Sequence, residues 1–275
     1  MSDCKTIAIC NQKGGVTKTT TTANLGVGLA MQGKHVLLVD IDPQADLTTA
    51  LGWPDNEALP MTLSTVMERT MQDEDFEHYG AILRHDEGVD LLPSSIELSG
   101  LEMNLVTAMS REVTLRNYLS LIKHEYDYIL IDCPPSLSML TINALAAADS
   151  VIVPVQAQYL PAKGMTQLMK TIGKVKKQIN PSLKVDGILL TLVDMRTNLA
   201  RTTADTIRQQ YGSVLKIYNT QIPNATKAAE TSAVGRSIFS HDGGSKIAQA
   251  YTDFTKEVLA DGERKQAKTQ PPLSR

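Results

Sequence analysis

Residues 13–20 read Lys-Gly-Gly-Val-Thr-Lys-Thr-Thr, and these types in this order suit the holding of a polyphosphate. Gly14 and Gly15 let backbone N–H groups turn inward and approach a ligand that side chains would block. Lys18 puts a point charge on phosphate, and the Thr19 hydroxyl is a hard oxygen donor of the kind Mg²⁺ prefers. A helix opening at Lys18 aims unpaired N–H donors and the positive end of its dipole at the same anion. Thr19 and Thr20 are also good N-capping residues, and the two uses are compatible. Three carboxylates follow apolar runs: Asp40 and Asp42 in Leu38-Val-Asp-Ile-Asp, and Asp132 after Tyr128-Ile-Leu-Ile. Carboxylates beside a phosphate are electrostatically costly unless they serve a metal or a water.

Such side chains need rigid elements to aim them. Residues 5–10 read as a buried strand. Residues 18–32 fit a helix, with Ala23, Val27 and Ala30 on one side and Gly33 as the stop. The run His35-Val-Leu-Leu-Val-Asp is a second, near-continuous apolar strand, the pattern of a parallel sheet covered on both faces. Residues 52–62 read as loop. Residues 63–86 read as short helices with an acidic, solvated stretch at Asp73–Glu77. Further strands are predicted at 89–93, 126–132, 150–155, 184–193 and 214–218. Helices are predicted at 96–108, 111–125, 138–148, 163–179, 200–211 and 243–261. The alternation predicts an α/β doubly wound fold, a mostly parallel sheet with helices on both faces, in one domain over residues 1–262. The tail 263–275, with Pro271-Pro272, lacks apolar periodicity and is expected to be disordered.

The chain has 275 residues, 42% of them hydrophobic and 21% charged, enough for one domain with a sizeable core. Its net charge is −3, so nucleic-acid binding must come from a local patch rather than from bulk charge. Cys4, Cys10 and Cys133 form no C-x-x-C pair, which disfavours a zinc or iron–sulfur site and fits reduced thiols in the cytoplasm. Met1-Ser-Asp leads straight into the first strand without a signal segment, and no apolar run approaches the roughly 20 residues that span a bilayer.

The loop departs from the common phosphate-loop pattern G-x-x-x-x-G-K-[ST], since Gln12 and Thr17 stand at its first and last glycines. It matches instead the deviant Walker A form, K-G-G-x-x-K-[ST], whose extra lysine here is Lys13. Together with Leu38-Val-Asp-Ile-Asp-Pro-Gln and Ile131-Asp-Cys-Pro-Pro-Ser-Leu, the loop resembles that of the ParA/Soj family of partition ATPases, from about Thr6 to about Gly262. The resemblance implies a P-loop NTPase that binds ATP or ADP with Mg²⁺ through Lys13, Gly14, Gly15, Val16, Thr17, Lys18, Thr19 and Thr20. Thr20 is expected at the α-phosphate. Lys13 is expected to reach the phosphates of a partner subunit across a nucleotide-sandwich dimer, much as an arginine finger does. Asp42 is expected to position the attacking water. Thr19, Asp40, Asp42 and Asp132 are expected around the metal, with Asp132 as the Walker B carboxylate. The base is expected near Pro223 and Asn224, where Ile-Pro-Asn-Ala replaces the family's usual Ile-Pro-Arg-Asn.

Residues 163–184 carry six lysines and no acid. Any one of these lysines reads as a solvated charge. By resemblance, Arg196 and Lys227 match positions where the family contacts DNA, and Lys227 keeps the charge but loses the bidentate fork of arginine. The resemblance thus implies a cytoplasmic, nucleoid-associated switch. In it an ATP-dependent homodimer binds non-specific double-stranded DNA, and a ParB-like centromere-binding protein stimulates hydrolysis and release. The alternative is a membrane-associated positioning ATPase of the MinD type, against which the polar, proline-broken tail argues. A metal-cluster carrier is disfavoured by the cysteines. An operator-binding repressor is disfavoured because the chain opens on its first strand, with no helix-turn-helix ahead of it.

Overall fold

The apolar run ahead of the glycine pair is strand β1 (Lys5–Ile9), and helix α1 (Lys18–Ala30) follows the loop. Next come β2 (Val36–Asp40), α2 (Asp46–Ala50), α3 (Leu63–Met71), β3 (Leu83–Arg84), β4 (Asp90–Leu92) and α4 (Glu97–Leu105). Then α5 (Thr114–Ile122), β5 (Tyr128–Asp132), α6 (Met139–Ala147), β6 (Ser150–Gln156) and α7 (Ala162–Gln178). The chain continues through β7 (Lys184–Val193), α8 (Asn198–Tyr211), β8 (Ile217–Pro223), α9 (Ile238–Asp242) and α10 (Lys246–Thr269). The structure is a computed structural model that describes residues 4–157, 162–194, 196–224 and 234–269, with the side chains of 162, 163, 198, 199 and 264–269 left aside.

The strands form one sheet in the order β3-β4-β2-β5-β1-β6-β7-β8. Neighbours run parallel, except that β3 pairs antiparallel with β4 at the edge. Parallel neighbours need crossover connections, and the helices supply them while covering both faces. One face buries Ala8, Val39, Ile131 and Val153 under α3 to α8, where Leu101, Leu119, Leu145, Leu168 and Ile207 join them. The other buries Ile7, Leu38, Leu130 and Ile152 under α1, α2, α9 and α10. In α10 the buried residues Ile247, Tyr251, Phe254 and Val258 recur at helical spacing and form one stripe. Phe254 meets Tyr218 of β8 edge-on at 4.9 Å and 87°. Fully burying each such aromatic stabilises the fold by about 1.5–3 kcal/mol. At Gly28 of α1 an added Cβ would lie 2.4 Å from the Thr255 hydroxyl, so the close approach of α1 and α10 depends on that glycine.

Three features differ from the sequence reading. The short elements α2, β3 and α9 were not expected, and at 5, 2 and 5 residues they carry too little pattern to be read. Strand β8 runs over Ile217–Pro223 rather than 214–218. The N–H groups of Val214 and Leu215 both donate to the Tyr211 carbonyl and close the end of α8, so pairing with β7 begins only at Ile217 opposite Ile188. Finally, helix α10 continues to Thr269, past the point where the sequence reading begins a disordered tail at Glu263. Glu263-Arg-Lys-Gln-Ala-Lys are strong helix formers, and extending a helix already nucleated needs no apolar face. Residues 270–275 lie outside the described residues.

The turn between β3 and β4 is tied to the segment ahead of α10. The Glu87 carboxylate accepts from the Ser237 N–H at 2.8 Å, the Ser237 hydroxyl at 2.6 Å and the Ser240 hydroxyl. Burial alone would raise the pKa of Glu87, but the two serine hydroxyls and the Ser237 N–H outweigh it, and the net effect is a lowered value. Truncation in Glu87→Ala is expected to lower stability by about 2 kcal/mol in urea unfolding at pH 7. Because the folded pKa lies below the ordinary 4.5, the contribution is complete above pH 4.5 and is lost as pH falls through the folded value. The gap between the stability curves of wild type and Glu87→Ala should therefore narrow in acid, and a gap that does not change with pH would rule this account out.

Candidate active site

Strand register brings the site together. Ile9 at the end of β1 pairs with Asp132, and Asp132 pairs with Asp40 across β5 and β2. The loop that leaves β1 thus starts beside two carboxylates at the C-terminal edge of the sheet, where ligands of open α/β sheets bind. Asn11 fixes its course: its amide donates to the Pro154 carbonyl at 2.6 Å, and its Oδ1 accepts from the Lys13 N–H at 3.0 Å. Gly15 takes φ +70°, a conformation that favours glycine. The Val16 carbonyl accepts from the Thr191 hydroxyl at 3.2 Å and the Thr17 hydroxyl at 2.6 Å. Thr17 itself sits at φ +65° and gives α1 no side-chain cap, so the first N–H groups of α1 stay available for an anion. Lys18 is buried inside the loop, its Nζ 3.5 Å from the Lys13 carbonyl.

The Thr19 hydroxyl donates to Asp132 Oδ2 at 2.6 Å, and the Thr22 hydroxyl lies 3.4 Å from the other oxygen. Burial, then the charge of Asp40, raises the Asp132 carboxyl well above the usual carboxylate range. Burial pushes Asp40 up to about 7, although the Thr48 N–H, the Thr48 hydroxyl and the Asp42 N–H all donate to it. Burial likewise raises Asp42, against the Gln44 N–H that its Oδ1 accepts at 3.1 Å. Buried oxygen donors that resist ionisation suit a hard divalent cation, whose charge relieves all of them. Among the described residues no three acidic, histidine or cysteine side chains converge tightly enough to hold a metal alone, which fits an ion completed by Thr19 and phosphate oxygens. The sequence reading groups Asp40 with the metal ligands, but its oxygens are engaged by Thr48 and the Asp42 N–H. Asp40 therefore braces the turn that carries Asp42. The bracing residue Thr48 and the loop clamp Asn11 were missed. A threonine in a short helix and an asparagine after a strand give no distinct signal in sequence.

Lys13 lies on the exposed lip with Gly14 and Gly15, and its Nζ is 3.1 Å from Gln156 Oε1 at the end of β6. A buried lysine inside the loop, a hydroxyl–carboxylate pair below it and an exposed lysine above it form a phosphate site open on one side.

Residues 4–185 match the model of the AAA domain family. The sporulation initiation inhibitor protein Soj of Bacillus subtilis is 44% identical over 259 residues, 94% of this chain and 99% of that protein. The chain belongs to the ParA/Soj family of partition ATPases. The chromosome partitioning protein ParA of Caulobacter vibrioides is 38% identical over 267 residues, covering 96% of this chain and 97% of that one. Among solved structures, cobyrinic acid a,c-diamide synthase from Mycobacterium smegmatis with a bound ATP analogue and magnesium superposes with a TM-score of 0.82. It is 38% identical, and the match covers 94% of this chain and 96% of that one.

Pro223, Asn224 and Arg196, which the ParA/Soj resemblance also singles out, fall near the ends of β7 and β8. Pro223 ends β8 opposite Val193, and the Asn224 N–H donates to the Val193 carbonyl at 3.2 Å. Backbone thus places Asn224, whose side chain is exposed. Arg196 is exposed and forms a bidentate pair with Asp194, Nε to Oδ1 at 2.9 Å and Nη2 to Oδ2 at 3.1 Å. The hydrogen bonds from Arg196 hold Asp194 below the ordinary carboxylate value. Lys227 lies outside the described residues. No helix among the described residues is long and apolar enough to cross a membrane.

Proposed function

We propose that this chain is an ATP-driven DNA-partition switch. The observation that carries the reading is the stacking of two lysines on one loop. Lys18 is buried inside the loop, where it would meet phosphates of the same subunit, and Lys13 stands exposed on the lip, where it would meet phosphates brought by a second molecule. ATP held by the loop from Gly14 to Thr20 then becomes part of the contact between two copies. Thr19, with Asp132 behind it, would hold Mg²⁺, and the ion would supply positive charge at the β- and γ-phosphates. Asp42 positions the attacking water. Pro223 and Asn224 border the base. The ATP analogue and magnesium bound to the Mycobacterium smegmatis relative and the chromosome-partitioning role of ParA from Caulobacter vibrioides support the reading.

The closed dimer doubles a weak basic surface that includes Arg196 and Lys227, and affinity for non-specific duplex DNA rises by avidity. A ParB-like centromere-binding partner stimulates hydrolysis, and the dimer separates from DNA in the nucleoid. The test is binding to a non-specific duplex without nucleotide, with ADP and with ATP, over a salt series. Binding is expected with ATP alone. In Arg196→Ala the slope of log affinity against log salt should shrink by about two, one phosphate contact per protomer. Asp194→Asn should tighten binding, because Asp194 competes with phosphate for the same guanidinium. Binding indifferent to nucleotide would remove the switch.

A further inference from the structure

We propose that Thr48 is a positioning residue for hydrolysis: its buried hydroxyl ties the exit of β4 at Ser94 to Asp40, and through Asp40 it sets the place of Asp42. The inference deepens the ATPase reading and rests on it.

Strands β2 and β4 run side by side, with Val39 opposite Leu92. The residue that follows β4 is Pro93, which has no N–H with which to continue the ladder. Its carbonyl accepts from the Leu63 N–H at the start of α3, at 2.8 Å. The Ser94 N–H donates instead to the Thr48 hydroxyl oxygen at 2.9 Å. That hydroxyl donates in turn to Asp40 Oδ2 at 2.8 Å, and the Thr48 N–H reaches the same oxygen at 2.8 Å. Asp40 Oδ1 accepts from the Asp42 N–H at 3.1 Å. One carboxylate thus holds the backbone of Asp42 with one oxygen and Thr48 with the other. Ala45 gives α2 no side-chain cap, so Asp40 serves as one from a distance. Between the two anchor points the turn is closed by the Ala45 N–H, which donates to the Asp42 carbonyl at 2.9 Å. Asp40, Thr48 and Ser94 are all fully buried, so bulk water does not replace a lost partner. A valine would fill the space of Thr48, so packing does not account for the hydroxyl. Its two uses, acceptor from Ser94 and donor to Asp40, need a group that does both. The arrangement makes the placement of Asp42 depend on where β4 ends, and a misplacement of about 1 Å at a reacting centre can cost about 10²-fold in rate.

The experiment is a double-mutant cycle of Thr48→Val and Asp42→Ala on the full chain, read as ATP hydrolysis with Mg²⁺. Thr48→Ser is the variant that keeps the hydroxyl. With Asp42 present, Thr48→Val is expected to lower kcat about 10–100-fold and to leave KM within about twofold. Thr48→Ser should stay within about twofold of wild type in both. In the Asp42→Ala background, Thr48→Val should change the residual single-turnover rate less than about twofold, because the group it positions is gone. Equal losses in both backgrounds, as a general loss of folded protein would give, would overturn the proposal, and so would an unchanged kcat in Thr48→Val. Should Thr48→Val not fold, Thr48→Ala carries the same reading with less bulk. Amide hydrogen exchange without nucleotide is the second measurement. Protection of the Asp42, Thr48 and Ser94 amides should fall about tenfold in Thr48→Val and hold in Thr48→Ser. Should the wild type hydrolyse no ATP, the functional reading falls. The exchange data then still decide whether Thr48 ties the two segments, unchanged protection overturning it.

Discussion

Asp42→Ala is expected to leave Mg·ATP bound while lowering hydrolysis by about 10²–10⁴-fold, the range of a positioned acid–base group. The separation of the two effects follows from how the Asp42 turn is held. Its brace is Asp40, which accepts from the Thr48 N–H and hydroxyl and from the backbone N–H of Asp42. An alanine at position 42 keeps that N–H, so the turn and the Thr19–Asp132 pair stay in place. What is lost is the carboxylate proposed to position the attacking water, together with the hydrogen bond that it accepts from the Gln44 N–H. The ATP-bound dimer should then accumulate. Single-turnover hydrolysis beside a nucleotide titration checks this. A loss of hydrolysis under tenfold, or a parallel loss of affinity, would remove Asp42 from its role.

Lys13→Ala should abolish ATP-dependent dimerisation and lower hydrolysis by about 10³-fold, in line with the removal of a charge supplied in trans. Nucleotide binding to the monomer should change little. The loop's course depends on the Lys13 N–H held by Asn11, and alanine keeps it. The side chain rests on Gln156 within the same subunit, so assembly requires it to leave that contact. Gln156→Ala removes that contact without touching the charge, and dimers should still form. Sedimentation of each variant with ATP tells the cases apart. A Lys13→Ala protein that dimerises normally would place the lysine outside the contact.

The parts of the site legible in sequence were those where chemistry dictates residue type. Lys18 and Thr19 follow a glycine pair, and Asp40 and Asp132 end apolar runs that turn out to be neighbouring strands. Parallel strands buried on both faces leave an unbroken apolar signature, so the sheet itself was legible. The supports were not. Asn11, Thr48 and Gln156 act through hydrogen bonds set by tertiary placement. The Arg196–Asp194 pair lies within three residues in sequence, yet its bidentate geometry depends on a turn that spacing alone does not specify. The edge strands β3 and β8 were the least legible, because exposure breaks the apolar pattern on which a strand reading depends.

The position of β1 has a consequence for synthesis. Strand β1 is a central one, and its partners β5 and β6 come more than a hundred residues later. At about 5–20 residues per second, roughly 6–25 s pass on the ribosome before Asp132 follows the loop out. During that time the glycine pair and Lys18 are present, but Asp132, Pro154 and Thr191 are not, and the loop has nothing to fold against. Nucleotide cannot act as an early template for this chain. It can only trap the product of a long-range closure, a slow event for a fold of such high contact order. Nascent fragments that end short of β6 should bind no ATP and should depend on chaperones to keep their apolar strands apart.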